Sequence, residues 1–180
     1  SETVVVSGGG TIGLVTAASA IGMGARVIVV DPIKRRRDIA LKLGVAEVVD
    51  ASDNPVERVK ELTGGKGAEL VVEASGHDAS VASVFEYAAQ DGRVSMVGLN
   101  IGRNITSKMG LLQLKNLTVR GCIGSPGVWP AAIRFLERTG IDLSPIQTHH
   151  FGLTDAVEAF KLGQDPQACI KVTLSTKGLN

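Results

Sequence analysis

Residues 4–31 read VVVSGGGTIGLVTAASAIGMGARVIVVD, and this stretch decides the fold that we expect for the chain. Its first three residues are valines, which is typical of a strand buried in a parallel sheet. Residues 8–13, GGGTIG, satisfy the pattern G-x-G-x-x-G. A helix of small residues follows over about 14–23, and a second apolar strand, residues 27–30, ends at Asp31. The stretch predicts a strand, a glycine turn, a helix and a second strand in that order.

The glycines of the turn each have a physical reason. Gly8 allows the tight turn from strand to helix, Gly10 leaves the backbone open to a pyrophosphate, and Gly13 lets the helix pack close to the strand. The first free N–H groups of the helix, at Thr11 and Ile12, then face the phosphates with the positive end of the helix dipole behind them. This context favours a dinucleotide site.

Asp31 lies 18 residues after Gly13, at the tip of the second strand. Its carboxylate can accept hydrogen bonds from the hydroxyls of an adenosine ribose at this position. Two other interpretations remain open. The glycine turn could bind nothing, or the site could hold a methyl donor, because methyl-donor folds also end this strand with an acid.

Four cations, KRRR at residues 34–37, follow Asp31 closely. They could surround a ribose 2′-phosphate, which would indicate NADP. A carboxylate beside that phosphate costs about 1–4 kcal/mol, about a ten- to thousand-fold bias. We therefore expect NAD, with Lys34, Arg35 and Arg37 forming a solvated helix start.

The composition is that of an ordinary globular chain. It has 180 residues, enough for one domain with a full core, 44% hydrophobic residues and a net charge of +1. The charge gives no case for nucleic acid or membrane as a partner. Cys122 and Cys169 lie far apart and are expected to be small buried side chains rather than a disulfide framework, so we expect a reducing cytoplasm. The chain starts directly at a strand, SETVVV, which suggests a cut at a domain boundary.

Further short apolar runs alternate with helical patterns along the chain. We expect strands at residues 47–50, 69–73, 94–97 and 116–120, with Asn54 capping the helix between the first two of them and a turn at Asp91 and Gly92 leading into the third. Six strands alternating with helices predict an α/β fold, a doubly wound parallel six-stranded sheet. Ligands bind at the carboxyl ends of such strands, which here are residues 8–13, 31, 74–76, 97–99 and 122–124.

The last quarter of the chain changes character. A helix is expected over residues 126–137 with Trp129, Ile133 and Leu136 facing inward, and a final helix over 155–162 is expected to be capped by Thr154. An extended piece at 149–153 and a last strand at 170–174 complete it. We therefore expect a dinucleotide-binding Rossmann domain over 1–144 and a C-terminal helix and strand segment over 145–180.

The order of motifs resembles the cofactor-binding half of the zinc-type medium-chain alcohol dehydrogenases. The shared marks are GGGTIGL, VVD, ALKLG, TGGKGAELVVEASG, GRVSMVGLN, LTVRG and the closing segment GIDLSPIQTHHFGLTDAVEAF. The stretches LTVRG and VWPAAIRFLERTGIDL are most similar to the polyol, secondary-alcohol and threonine dehydrogenase branch. Gly124 and Ser125 depart from polyol enzymes, which often carry larger polar residues there.

The resemblance implies a set of cofactor contacts. The amides of Thr11 and Ile12 would hold the pyrophosphate, and Arg36 would join Asp31 at the adenosine ribose. Lys171 would lie near the pyrophosphate, with an ordinary surface lysine as the alternative. The remaining contacts implied, on the nicotinamide side of the cofactor, are Ala74, Ser75, Gly76, Val97, Gly98, Leu99, Cys122 and Ile123.

The resemblance also implies that catalysis needs residues outside this chain. In the family the catalytic zinc and the proton relay come from a separate N-terminal domain, which would be absent here. The three histidines are His77, His149 and His150. The last two are adjacent on an extended segment, where neighbouring side chains point to opposite faces. We expect no metal site and no catalytic residue in this chain, so that it binds NAD without turnover.

The full-length parent is expected to transfer hydride between a secondary alcohol or polyol and NAD, with zinc as the Lewis acid. Two alternatives remain: a zinc-free quinone or enone reductase that uses NADPH, and a non-catalytic dinucleotide-binding module. An apolar edge strand at residues 117–119 is exposed to pairing, and together with the resemblance it suggests a homodimer or tetramer through this region. The C-terminal segment would return to the absent catalytic domain.

Overall fold

The structure is a computed structural model that describes residues 1–176. The last four residues of the predicted segment 145–180 lie outside the described residues. Strands and helices alternate along most of the chain. In chain order they are β1 (Thr3–Ser7), α1 (Thr11–Gly22), β2 (Arg26–Val30), α2 (Lys34–Lys42), β3 (Glu47–Val49), α3 (Pro55–Leu62), β4 (Ala68–Glu73), α4 (Asp78–Tyr87), β5 (Ala88–Met96), α5 (Leu111–Leu114), β6 (Thr118–Gly121), α6 (Trp129–Thr139), β7 (Gln147–Gly152), α7 (Ala156–Gly163) and β8 (Lys171–Ser175).

The first six strands form one parallel sheet with the order β3-β2-β1-β4-β5-β6. The chain moves outward from β1 to β3, then returns to the other side of β1 and continues from β4 to β6. The predicted doubly wound six-stranded sheet is therefore confirmed, and its strand order reverses between β1 and β4. Such a reversal opens a crevice beyond the carboxyl ends of the two strands.

The sheet is buried on both faces, as its apolar strands require. Val5 packs on one face with Val71 and Val84, while Val4 and Leu14 belong to the cluster on the other face. Because side chains alternate along a strand, β1 contributes to both clusters. The central strands are thereby fixed, and the loops at their carboxyl ends are held on a rigid base.

The predicted orientation of α6 is wrong. Trp129, Ile133 and Leu136 were expected inward, but Trp129 is 67% exposed and Ile133 54%. The helix instead turns Phe135 toward α1, where a Cβ on Gly22 would lie 3.1 Å from the Phe135 ring. The apolar residues of α6 are therefore only partly covered, and the contact with α1 is made through Phe135.

Two smaller expectations also fail. The cap of α7 is Asp155 and not Thr154, because a short 3₁₀ turn, Leu153–Asp155, precedes the helix. The turn expected at Asp91 and Gly92 lies inside β5, where Asp91 has a φ of 58° and the pairing with β4 changes register. Asn54 does occupy the cap of α3, but its side chain makes no capping hydrogen bond.

The chain after α6 builds a second, two-stranded sheet from β7 and β8, which run parallel. The helix α7 connects them and packs mainly on β8. Across residues 1–176, no helix combines the length and the apolar character needed to cross a bilayer.

Candidate functional site

A cavity of about 600 Å³ lies at the carboxyl edge of the large sheet, beside the point where the strand order reverses. Six of the predicted site residues line it: Gly8, Gly10, Asp31, Arg36, Ala74 and Ser75. Residues that the sequence analysis did not select complete the wall: Ser7, Val30, Pro32, Ile33, Ala51, Ser52, Pro55, His77, Ala79, Ser80, Ser83 and Tyr87. Three of the five strand ends predicted to bind a ligand, those of β1, β2 and β4, therefore share one cleft with residues of α4.

The glycine turn has the geometry that its spacing predicts. Gly8 has a φ of 109°, and a Cβ there would lie 2.8 Å from the Cβ of Ser75. A Cβ on Gly13 would collide with the carbonyl oxygen of Gly8, so that only glycine allows α1 to start this close to β1. A Cβ on Gly10, by contrast, would meet no neighbouring side chain or backbone within 4 Å. The backbone is therefore accessible at Gly10 and closely packed on both sides of it.

The N-terminus of α1 has no side-chain cap. Its first N–H groups, at Thr11 and Ile12, have no carbonyl of the same helix to bind, because helices leave their first donors unpaired. Anions bind such helix ends through these donors and through the helix dipole. The N-terminus begins directly after Gly10, so the free amides and the open backbone lie together.

Asp31 is a buried carboxylate, 2% exposed, at the end of β2. Its Oδ2 accepts a hydrogen bond from the Gly9 N–H at 2.7 Å, and its Oδ1 accepts one from the Ile33 N–H at 2.8 Å. The guanidinium of Arg36 lies 3.5 Å from Oδ2. Asp31 thus fastens the glycine turn to the end of β2, a role that the sequence analysis did not foresee, and still faces the cavity.

The basic run after Asp31 is partly used within the protein. Lys34 is solvated and pairs with Asp38, as expected. Arg37 differs from the expectation, since its side chain is 15% exposed and its guanidinium lies 2.7 Å from Asp50. Hydrogen bonds from Ser52 and the nearby charge of Arg37 lower the pKa of the Asp50 carboxyl. The reason for the difference is the acid at the end of β3, which the linear sequence did not connect with Arg37.

Arg35 is exposed, but its guanidinium donates a hydrogen bond to the backbone carbonyl of Ala168. The hydroxyl of Thr11 donates a second one to the carbonyl of Ile170 at 2.7 Å. These two contacts hold the segment before β8 against the start of α1 and α2. Lys171, predicted near a pyrophosphate, is an exposed residue directly after this segment.

Glu73 is a second buried carboxylate, fully buried at the end of β4, which the sequence analysis did not select. Within residues 1–176, the buried polar side chains are Ser7, Asp31 and Glu73, and all three lie at this edge of the sheet. A signal was available in the sequence, because LVVE at residues 70–73 repeats the pattern of IVVD at 28–31. In each case an apolar strand ends in an acid.

The residues predicted on the nicotinamide side form the next part of the same edge. The N–H groups of Val97 and Gly98 both donate to the Glu73 carbonyl, at 2.8 and 2.9 Å. A Cβ on Gly76 would collide with the carbonyl of Leu99, so the loops after β4 and β5 touch. These residues are brought together, although among those predicted on the nicotinamide side only Ala74 and Ser75 line the cavity that contains Asp31.

The last predicted contacts lie at the end of β6. The Cys122 N–H donates to the Met96 carbonyl at 2.8 Å, and its thiol lies 3.2 Å from the Ser95 hydroxyl. Ile123 is 79% exposed. Both cysteines are free, and Cys169 is buried as expected, whereas the expectation of a buried Cys122 is wrong. The reason is that Cys122 follows an edge strand whose four residues are all exposed.

One face of α4 supplies the far wall of the cavity. Ser80, Ser83 and Tyr87 recur at the spacing of one helix face and line the cavity with His77. Burial, and secondarily the charge of Glu86, raises the pKa of the Tyr87 hydroxyl to about 12. These polar residues were not selected from the sequence, although their spacing on one helix face was visible in it.

The histidines of β7 do not gather around a common point. The Nδ1 atom of His149 lies 3.1 Å from the Thr148 hydroxyl, and that of His150 lies 2.8 Å from the Thr173 hydroxyl. In the part of the chain that the structure describes, His, Cys, Asp and Glu form no group of three or more that could hold a metal ion. Residues 1–176 therefore do not fit a zinc centre.

The fold and the site define a class. A parallel sheet with reversed strand order, a glycine turn between its first strand and first helix, and an acid at the end of its second strand characterise the Rossmann-type α/β domain. Within this class, residues 11–138 match the family model of the zinc-binding dehydrogenases. The chain belongs to the zinc-binding dehydrogenase family.

Individual relatives agree with this assignment. The chain is 33% identical over 175 residues to an L-threonine 3-dehydrogenase of Bacillus licheniformis, covering 95% of this chain and 50% of the relative. It is 32% identical over 176 residues to an erythritol/L-threitol dehydrogenase of Mycolicibacterium smegmatis, covering 96% and 48%. An alcohol dehydrogenase of Escherichia coli CFT073, crystallised with NADH, has the same fold, with a TM-score of 0.87, 24% identity and coverage of 97% and 52%. The chain spans about half the length of the curated relatives it matches.

Proposed function

We propose that the chain is the NAD(H)-binding domain of a zinc-dependent dehydrogenase that transfers hydride between a secondary alcohol or polyol and NAD. The observation that carries the proposal is the uncapped start of α1 at Gly10, together with the buried carboxylate of Asp31 facing the same cavity. The first feature suits a pyrophosphate, and the second suits the hydroxyls of a ribose. We place the end of the dinucleotide-binding domain at residue 144.

The partners of the basic run support NAD over NADP. Arg37 pairs with Asp50, Lys34 with Asp38 and Arg36 with Asp31 itself, so three of the four cations already have a carboxylate. Asp31 adds a fixed negative charge where a 2′-phosphate would lie, at a cost of about 1–4 kcal/mol. These interactions make an NADPH-dependent reductase the weaker proposal.

The residues of this chain bind and orient the cofactor. The amides of Thr11 and Ile12 hold the pyrophosphate, Asp31 and Arg36 hold the adenosine ribose, and Lys171 adds a positive charge near the phosphates. On the nicotinamide side the cofactor meets the loops after β4, β5 and β6, through Ala74, Ser75, Gly76, Val97, Gly98, Leu99, Cys122 and Ile123. The bound nicotinamide supplies hydride transfer. Residues 1–176 do not form a zinc centre, so in this proposal zinc belongs to a part of the parent protein outside this chain.

The substrate class is proposed from the relatives. A threonine dehydrogenase and an erythritol/threitol dehydrogenase cover nearly all of this chain at above 30% identity. Their names support the polyol, secondary-alcohol and threonine branch that the motifs indicate. Turnover requires the parent protein, and the 180-residue chain is expected to bind the cofactor alone.

The proposal also includes association through β6. This strand is at the edge of the sheet, paired only with β5 in the sheet order, and all four of its residues are exposed. Exposed edge strands offer unpaired backbone groups to a second chain. We propose a homodimer or tetramer that forms through this region.

The test is calorimetric titration of the purified chain with NADH and, separately, NADPH. We expect clear preference for NADH, and we expect the Asp31→Asn variant to bind NADH at least about tenfold more weakly, because a charge-assisted bond to the ribose is lost. Asp53→Asn is the matched control, since Asp53 is an exposed acid outside the cavity lining. Preference of the wild-type chain for NADPH, or an equal loss in both variants, contradicts the proposal.

A further inference from the structure

We propose that Glu73 is a positioning residue that sets the nicotinamide half of the cofactor site, an inference that rests on the proposed binding of NAD(H). Its carboxylate joins the loop after β4 to the start of α4, and its backbone joins that loop to the one after β5. It acts through these loops and not by touching the cofactor. Both carboxylate oxygens of Glu73 accept hydrogen bonds that support this role.

The Oε1 atom of Glu73 accepts an unusual number of hydrogen bonds. The hydroxyls of Ser75 and Ser80 donate to it at 2.6 and 2.7 Å, and the N–H groups of Ser75 and Gly76 at 3.0 and 3.1 Å. Ser80 uses its proton for Glu73, so the Ser7 hydroxyl, 2.7 Å away, donates to Ser80. An acceptor-only group is required at the centre of such a ring of donors.

The Oε2 atom of Glu73 faces residues that are predicted to lie on the nicotinamide side of the cofactor. It accepts from the Gly76 N–H at 3.1 Å. A Cβ on Gly98 would collide with this oxygen and with the Gly76 nitrogen. The loops after β4 and β5 are thus packed around Oε2, and Asn100 adds a hydrogen bond to the Gly76 carbonyl at 2.6 Å.

The adenosine side has its own, separate support. Asp31 is bound by Gly9, Ile33 and Arg36, none of which is among the hydrogen-bond donors to Glu73 described above. The two buried carboxylates therefore have separate sets of donors, although Ser75 and Ser80 line the same cavity as Asp31. Asp31 fixes the glycine turn and the end of β2, while Glu73 fixes the loops after β4 and β5.

A change of Glu73 to glutamine tests the charge with little change of shape. If the amide oxygen takes the place of Oε1, the amide NH₂ takes the place of Oε2 and faces the Gly76 N–H. Two donors then oppose each other in a buried place, which is unfavourable. The donors from Ser75 and Ser80 keep their acceptor, so the loosening falls on Gly76 and on the loop after β5.

The experiment compares two ligands on the same variants of the 180-residue chain. ADP contains the adenosine and the two phosphates, and NADH adds the nicotinamide half. The dissociation constants of both are measured for the wild type, for Glu73→Gln and for Glu69→Gln. The last is a matched control, because Glu69 is an exposed residue of the same strand that accepts a hydrogen bond from the Thr3 N–H. Thermal unfolding of each variant shows whether it is folded.

We expect Glu73→Gln to weaken NADH binding more than ADP binding, so that the ratio of the NADH dissociation constant to the ADP dissociation constant rises about tenfold. This is the effect of losing one charge-assisted hydrogen bond. Glu69→Gln is expected to leave the ratio unchanged. A merely structural role would weaken both ligands by the same factor. A change in the ratio of less than about threefold therefore overturns the role of Glu73, whatever the separate affinities are.

If Glu73→Gln does not fold, Glu73→Asp replaces it. The aspartate keeps the charge but withdraws it from Gly76 by one methylene, so the same change in the ratio is expected. Wild-type chain that fails to bind NADH contradicts the proposed function and this inference together. Binding by the wild type with an unchanged ratio in both Glu73 variants contradicts only the inference.

Discussion

Buried polar side chains mark the functional edge of this protein more clearly than any single motif does. Ser7, Asp31 and Glu73 end three of the four central strands, and each is at most 3% exposed. Placing charges in a core is unfavourable unless hydrogen bonds compensate it. Both carboxylates receive several such bonds from the loops that they hold, so the polar groups order the backbone around the cleft.

Some of these side chains could be identified from sequence and others could not. Asp31 was predictable because its spacing from the glycine turn is local in the chain. Glu73 carried the same local pattern, but its importance depends on Ser80 and Gly98, which are distant along the chain and reach it only in the folded protein. Arg37 was misjudged for the same reason, since its partner Asp50 follows a different strand.

Tyr87 provides a direct probe of the cavity, because it is the chain's only tyrosine. Its pKa is raised from 10.0 to about 12. Above pH 10 the unfolded chain loses the phenolic proton while the folded chain keeps it, so the free energy of unfolding decreases as the pH rises from 10 to 12. We expect a loss of about 1 kcal/mol by pH 11, measured by denaturant unfolding.

Two measurements check this prediction. The phenolate absorbance of the folded chain should appear near pH 12 and not near 10. Tyr87→Phe should unfold with a smaller loss of stability over the same alkaline range. A phenolate that appears at pH 10 in the folded chain contradicts the assignment of a buried hydroxyl.

Packing between α1 and β1 determines the shape of the glycine turn. The two elements approach so closely that a Cβ on Gly13 would meet the Gly8 carbonyl, whereas Gly10 borders open space. The turn therefore contains one glycine required by packing and another that is free of steric contacts within the protein. The sequence pattern assigns these two roles correctly, because the position of each glycine in the motif states whether it serves packing or access to the backbone.

Alanine substitutions separate the two roles. Gly13→Ala is expected to lower the free energy of unfolding by about 1–3 kcal/mol, because the added methyl group overpacks the contact between helix and strand. Gly10→Ala is expected to keep the stability within about 0.5 kcal/mol. It should nevertheless weaken NADH binding about tenfold, since the methyl group occupies the approach to the backbone.

Unfolding curves and NADH titrations of both variants check this pair. Equal destabilisation by the two substitutions would show that both positions need glycine for its backbone conformation, and that packing at Gly13 is not the cause. Unchanged NADH affinity in Gly10→Ala would contradict the proposal that the pyrophosphate approaches the backbone at Gly10.

Elements with local signals were predicted well, and elements that depend on a partner were not. The strands of the large sheet agree with the predicted ones within a few residues except β5, whose start lies before the expected turn. The helix α6 has a clear apolar face, but much of that face is exposed, so its packing could be known only from its contact with α1. The cap of α7 moved by one residue because a 3₁₀ turn precedes it, and such turns have weak sequence signals.

Within residues 1–176, β6 is an exposed edge of the large sheet, and the proposed association uses it. Val119 in β6 is 41% exposed, which suits a contact between two copies. We expect the wild-type chain to be at least a dimer in sedimentation or light scattering. Val119→Lys should shift it toward the monomer, because two charged side chains would be placed at the shared edge.

Val157→Lys is the control for this prediction. Val157 is 69% exposed on α7, away from β6, and its substitution should leave the assembly unchanged. A wild-type chain that is monomeric at every concentration contradicts association through the edge. Equal effects of the two lysines would indicate a contact other than β6.

The hydrogen bond from Thr11 to Ile170 joins residues 159 positions apart in the chain. During synthesis the N-terminal residues are made first, so the glycine turn and the large sheet leave the ribosome well before the segment that carries Ile170 and Lys171. The face proposed to bind the pyrophosphate is therefore completed last, by residues that arrive after the core is able to form. A nascent chain stalled before residue 165 would contain all six strands of the large sheet. It would still lack Ile170, whose carbonyl accepts the hydrogen bond from Thr11 at the start of α1.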